Sequence, residues 1–321
     1  MANPVFRPAT LDDAALAADL STASYPGEPQ DPVVTRFRWT HPKDGWSVGR
    51  FIVEVDTKPV AFTYWAHGPW SLVPERHCDI GAEMDPACES DELLDLVWKW
   101  IAGQASADGA RIIHAYAAED QPNILESLRR LGYERDRSDK VWELDLKKHG
   151  RQLLAEATAA RDRMKNEGIE LLPLSEWQGT ETLQGLHALN EAAEQDIPTS
   201  QPILAQSFAD FMDRINSPNL PHDRLWIALH GARAVAMSFL RFPPVRGNVW
   251  TGFTCSHPDY RGRGIATAVK LQSLAQAIEL GIPAVRTAND SENAPMLHIN
   301  ERLGYDARPE YVSLVKWVNS Q

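Results

Sequence analysis

The 321-residue chain is long enough for about two domains of ordinary size, and 43% hydrophobic with 24% charged residues supplies well-packed cores. No apolar run reaches the ~20 residues of a bilayer-spanning helix, and the formal charge of −12 excludes a nucleic-acid partner, which calls for a basic stripe. The first residues lack the basic-then-apolar layout of a secretory signal, so the protein is expected in the cytoplasm, with the scattered Cys78, Cys88 and Cys255 as reduced thiols.

In chain order, the first clear elements are the strands Phe51 to Val55 and Val60 to Trp65 around Asp56-Thr57-Lys58. Asp85-Pro86 then leads to Glu89-Ser90-Asp91-Glu92, where Ser90 and Asp91 are natural helix caps. Lys147-Lys148-His149-Gly150 reads as a link, followed by a polar, Ala-rich helix from Arg151 to Asn166 that Gly168 stops. The strand Ile169 to Leu172 opens the second half. Helices Thr180 to Ala193 and Ile203 to Ile215 follow, joined by the breaker-rich segment Glu194 to Pro202. A second hairpin then pairs Leu225 to Leu229 with Ala234 to Leu240.

The most informative stretch comes next. An apolar strand from Thr251 runs into His257-Pro258-Asp259-Tyr260-Arg261-Gly262-Arg263-Gly264-Ile265-Ala266, then into an amphipathic helix that Gly281 and Pro283 end. Gly262 and Gly264 allow a tight turn and close approach of backbone to a ligand. The helix they open offers unpaired N–H groups and its positive end to an anion. Arg261 and Arg263 add permanent charge. A dinucleotide fingerprint would need an acid at the end of the next strand, and that strand, read as Ala284 to Thr287, ends without one.

The run Arg261 to Ala266 fits the Arg/Gln-x-x-Gly-x-Gly/Ala signature of the GNAT superfamily of N-acetyltransferases. Asn293 and the run Met296 to Tyr305 resemble that family's last helix, ending in Leu303-Gly304-Tyr305. An internal repeat accompanies the resemblance: Leu131-Gly132-Tyr133 precedes Leu303-Gly304-Tyr305 by 172 residues, and Asp85-Pro86 precedes His257-Pro258 by the same 172. The fold expected from the resemblance is α/β (α+β), two tandem GNAT domains, each a mixed, mostly antiparallel central sheet flanked by helices. Residues 1–148 are expected to form an N-terminal domain with a degenerate cofactor site, 149–167 a connecting helix, and 168–321 the domain that binds acetyl-CoA. This plan is similar to the mycothiol-synthase layout.

The resemblance implies that Thr254, Cys255 and Ser256 pair through their backbone with the pantetheine arm of acetyl-CoA. It implies that Arg261, Gly262, Arg263, Gly264, Ile265, Ala266 and Thr267 hold the pyrophosphate, and that Asn293 and Asn300 contact the cofactor. Acetyl-CoA is the expected cosubstrate, with no metal, and the acceptor is a primary amine of a small molecule or peptide; no nucleic-acid or membrane partner is expected, and the oligomeric state is left open. Superposing the repeats puts Glu89 at the place of Arg261, Ser90 at Gly262, Asp91 at Arg263 and Glu92 at Gly264. Acids there stabilise their own helix and repel a pyrophosphate.

An alkylammonium must lose a proton before it can attack a thioester. Asp196, Glu194 and His222 are the candidate bases, Asp196 first because it lies beside Pro198 in the segment expected to border the acceptor pocket. Many family members carry a Tyr four residues before the closing Gly; here Asn300 stands there, and its amide donates a hydrogen bond but no proton. A backbone N–H near Cys255 can hold the oxyanion if its strand bulges, while the thiol itself reads as an inert core group. The rival reading is a noncatalytic acyl-CoA-binding sensor, motivated by Asn300 and the missing clear base. His77 beside Cys78 lacks partners at metal spacing.

Overall fold

The computed structural model describes residues 3–177 and 180–318. Its first half runs β1 (Val5–Pro8), α1 (Ala14–Ser24), α2 (Pro32–Thr40), β2 (Ser47–Val55), β3 (Lys58–His67), β4 (His77–Met84), α3 (Asp91–Ala107), β5 (Ile112–Ala118), α4 (Pro122–Arg130) and β6 (Glu134–Asp145). The helix α5 (Leu146–Asn166) leads into β7 (Ile169–Pro173), α6 (Thr180–Glu194), α7 (Phe208–Ile215), β8 (Leu225–His230), β9 (Arg233–Arg241) and β10 (Trp250–Ser256). The chain closes with α8 (Ile265–Glu279), β11 (Ala284–Asp290), α9 (Ala294–Leu303) and β12 (Asp306–Trp317). The repeat is visible in the backbone: Pro86 and Pro258 each open a short 3₁₀ turn, and Gly132 and Gly304 each follow a helix with positive φ, 82° and 86°. Among the described residues no helix is long and apolar enough to cross a membrane.

The twelve strands of the described residues join one sheet in the order β1-β2-β3-β4-β5-β12-β6-β11-β10-β9-β8-β7. Neighbours are antiparallel except β4 with β5 and β10 with β11. The centre of the sheet is an exchange. β12, the last strand of the second half, pairs with β5 from Tyr311↔Ala118 to Trp317↔Ile112, and β6, the last strand of the first half, pairs with β11 from Ala284↔Asp145 to Asp290↔Asp139. The cores follow the ladders. Val312 and Leu314 of β12 pack with Leu94, Trp98 and Ile113 of the first half, whereas Trp142 and Leu144 of β6 pack with Val269, Leu274 and Val285 of the second.

Three elements depart from the sequence reading. The linking helix starts at Leu146 rather than Arg151 because the Asp145 carboxylate accepts from the backbone N–H groups of Lys147 and Lys148, both at 2.9 Å, so Gly150 lies inside the helix. Helix α7 begins at Phe208, not Ile203, since Ser207 caps it by accepting from Asp210 N at 3.1 Å. The strand read as ending at Thr287 continues to Asp290, so it does end in an acid; what excludes a dinucleotide fold is the mostly antiparallel sheet, not a missing carboxylate.

Candidate active site

β10 and β11 are joined in register only at Trp250↔Arg286, where Arg286 N donates to Val249 O at 2.8 Å. Past that point they diverge. β10 carries a bulge between Thr251 and Phe253, and a cavity of about 970 Å³ opens between the strands. Gly252 makes the bulge possible, because a Cβ there would lie 2.1 Å from the Phe239 ring. Beyond the splay, the edge of β10 at Thr254, Cys255 and Ser256 has no strand partner on the β11 side and borders the cavity. Its backbone groups can therefore pair with an amide-bearing ligand.

The head of α8 lies at the same cavity. Gly262 and Gly264 have φ of 74° and 73°, a left-handed conformation that suits glycine, and Gly264 is the N-cap residue. Arg261, Gly262, Gly264, Ile265, Ala266 and Thr267 all line the cavity, as does Asn293. The helix start thus presents N–H groups of the kind that bind phosphate. Arg261 reaches across the cavity mouth to an ion pair with Asp196.

Four expected site residues sit differently from the sequence reading. Arg263 does not line the cavity; its guanidinium pairs with Glu167 at the end of α5, 2.9 Å away, and lies over the Tyr260 ring. Asn300 is fully buried, its Oδ1 accepting from Lys270 Nζ at 3.1 Å and its Nδ2 donating to Asn289 Oδ1 at 2.8 Å, so it faces α8 and β11 instead of the ligand space. Glu194 pairs with Arg214 at 2.9 Å and borders a separate cavity of about 380 Å³. His222 is hydrogen-bonded to Asn216 and lies off the cavity. Asp196 does line it, but Arg261 already holds its carboxylate.

Asn293 caps α9, its Oδ1 accepting from Met296 N at 3.4 Å. Burial pushes the Cys255 thiol up to about 12, which keeps it protonated and unreactive. The exchanged strand adds residues that sequence reasoning missed. Arg137 forms a two-armed pair with Asp290 at 2.7 and 2.8 Å and also holds Glu292 at 2.8 Å, keeping the Asp290 carboxyl below its usual range. Asp139 and, from β5, Tyr116 border the same space. No local signal in the sequence marks them, since their position depends on which strand β6 pairs with. Among the described residues no three His, Cys, Asp or Glu side chains converge as a metal site would require.

The counterpart in the first half carries acids and a cap where the second half carries glycines. Ser90 accepts from Leu93 N at 3.2 Å, Glu89 accepts from Asn123 Nδ2 at 2.8 Å, and β4 and β5 stay in register over four pairs, His77↔Ile112 to Ile80↔Ala115.

Residues 186–305 match the Acetyltransferase (GNAT) family. Over its whole length the chain has the fold of tandem GNAT proteins. It superposes on a tandem GNAT protein from the clavulanic acid biosynthesis pathway with a TM-score of 0.77 at 16% identity, covering 99% of this chain and 100% of that one. A GCN5-related N-acetyltransferase from Sphaerobacter thermophilus gives 0.68 at 15% identity, covering 100% and 98%. An acetyltransferase of the GNAT family from Colwellia psychrerythraea gives 0.61 at 14%, covering 98% and 100%. A comparison with curated protein sequences gives no match.

Proposed function

We propose that the protein transfers an acetyl group from acetyl-CoA to a primary amine, using the site in its second half. One observation carries the reading: two glycines in left-handed conformation at the head of α8 face the same cavity as the unpaired edge of β10. The residues present fit acetyl-CoA. The α8 N–H groups and Arg261 would hold the pyrophosphate, and the β10 edge at Thr254 to Ser256 the pantetheine amides. Acetyl-CoA, when bound, supplies an activated acetyl thioester. The backbone N–H groups beside the bulge are suited to stabilise negative charge on the carbonyl oxygen. The first half, residues 1–148, we read as binding no second cofactor, a view supported by the capping of α3 and the closer pairing of β4 with β5.

Calorimetric titration with acetyl-CoA is expected to give one site per chain. Two equal sites would overturn the reading of the first half, and no binding would overturn the whole. A second reading, a noncatalytic acyl-CoA-binding module, is favoured by two features: Asn300 is buried away from the cavity, and Asp196 is tied to Arg261. Thiol release from acetyl-CoA in the presence of amines separates the two.

A further inference from the structure

The acceptor side of the cavity is built across the seam between the halves. In the unbroken ladder of β6 with β11, Trp142 and Leu144 turn into the core beneath α8, so strand alternation sends Asp139 and its register partner Asp290 to the opposite face. On β12, Tyr311 stands opposite Asp139 and Ser313 stands opposite Tyr116 of β5. Above that face runs the segment after α6, with Gln201 Nε2 donating to Tyr116 Oη at 2.9 Å and to Asp79 Oδ1 at 2.7 Å. The cofactor cradle and Asp139 therefore approach the splay from opposite faces of one sheet.

The charge around this chamber is unbalanced. Four carboxylates, Asp139, Asp196, Asp290 and Glu292, line the cavity against two guanidiniums, Arg137 and Arg261. Both arginines already have partners: Arg137 holds Asp290 and Glu292, and Arg261 holds Asp196. Asp139 alone has no hydrogen-bonding partner among the described residues; its charged neighbours are Asp290 across the ladder and Arg137 on its own strand.

Resting on the acetyl-transfer reading above, we infer that Asp139, carried into the second half's site by the first half's last strand, receives the acceptor as an aliphatic ammonium without a nearby carboxylate and removes its proton. One oxygen of Asp139 takes a proton from nitrogen. The freed lone pair forms the N–C bond to the acetyl carbonyl as the C–S bond breaks, sulfur keeps its electron pair, and a second proton leaves nitrogen for sulfur. Asp139 then returns its proton to water. Burial and the neighbouring Asp290 raise the Asp139 carboxyl above its ordinary range, with Arg137 opposing, which makes it a better base than an exposed carboxylate. The tyrosines on its face, Tyr116 and Tyr311, are both pushed up by burial and stay neutral in the working range.

The test uses the full chain, acetyl-CoA, and butylamine, putrescine and 4-aminobutanoate as acceptors, with thiol release as readout. Butylamine and putrescine are expected to be acetylated and 4-aminobutanoate at least tenfold less efficiently. Asp139→Asn should lower kcat/KM for the amine by about 10²-fold or more and remove the acidic limb of its pH profile. Acetyl-CoA binding by calorimetry should stay within about twofold, which also shows that the variant is folded. Asp139→Glu should restore part of the rate and the limb. The inference is overturned if Asp139→Asn keeps its rate within about threefold, if Asp139→Asn leaves the acidic limb of the pH profile in place, or if 4-aminobutanoate matches putrescine. Thiol release by the wild type with none of the amines, despite acetyl-CoA binding, would instead sink the acetyl-transfer reading and this inference with it.

Discussion

Gly132 and Gly304 hold the same place in the two repeats, yet their surroundings differ. A Cβ added at Gly132 meets nothing within 4 Å, whereas one at Gly304 would lie 2.9 Å from the His149 ring on α5. Gly132→Ala is therefore expected to cost only the penalty of a left-handed alanine, about 1 kcal/mol, and Gly304→Ala clearly more; urea denaturation of the two variants would show equal losses if the His149 contact is irrelevant. Lys270 poses a different balance. Fully buried, it has its ammonium disfavoured by desolvation, down to about 7. Because the unfolded chain holds that proton to higher pH, stability should rise as pH increases from 7 towards 10, and Lys270→Met should flatten the rise. A slope unchanged in the variant would count against the assignment. At the cradle, Arg261 faces the cavity and Arg263 does not. Arg261→Glu is expected to weaken acetyl-CoA binding at least about tenfold and Arg263→Glu by less than about threefold, which calorimetry reads directly.

At the scale of elements, β6 and β12 decide what the molecule can tolerate. Each closes the sheet of the half to which it does not belong in sequence. Cutting the chain near residue 148 leaves the first fragment with β6 but without its β11 partner, and the second with β12 but without β5. Expressed separately, the fragments are expected to aggregate or self-associate through these open edges, and co-expressed, to form a 1:1 complex. Two well-behaved monomeric fragments on size exclusion would contradict this. The sequence made much of this level legible: hairpins, the repeat and the α8 helix follow from local alternation, glycine placement and caps. The exchange was not legible, because alternation shows which face of a strand is apolar but not which neighbour it will pair with. Asp139 carries no local signal for the same reason, and the burial of Asn300 against α8 is not marked either, because a helical face shows spacing, not whether α8 or the cavity lies opposite. The glycine turn at the head of α8 is readable, since left-handed glycines at a helix start act locally.

For the whole molecule, the cavity in the second half is walled by residues from both: Tyr116, Arg137 and Asp139 from the first, Asp196, Thr254 and Asn293 from the second. At the first half's counterpart to the cradle, Ser90 caps α3 and Glu89 accepts from Asn123. That combination bears on how such a chain can change over time. On the proposed reading, in which the first half binds no cofactor of its own, the leading copy would ordinarily be free to drift or be deleted. The interlaced centre of the sheet forbids it, since removal would strip its sister of both a structural member and a wall of the cavity. The leading half is held in place as a graft, and a change in either closing strand, β6 or β12, reaches the neighbouring half's sheet.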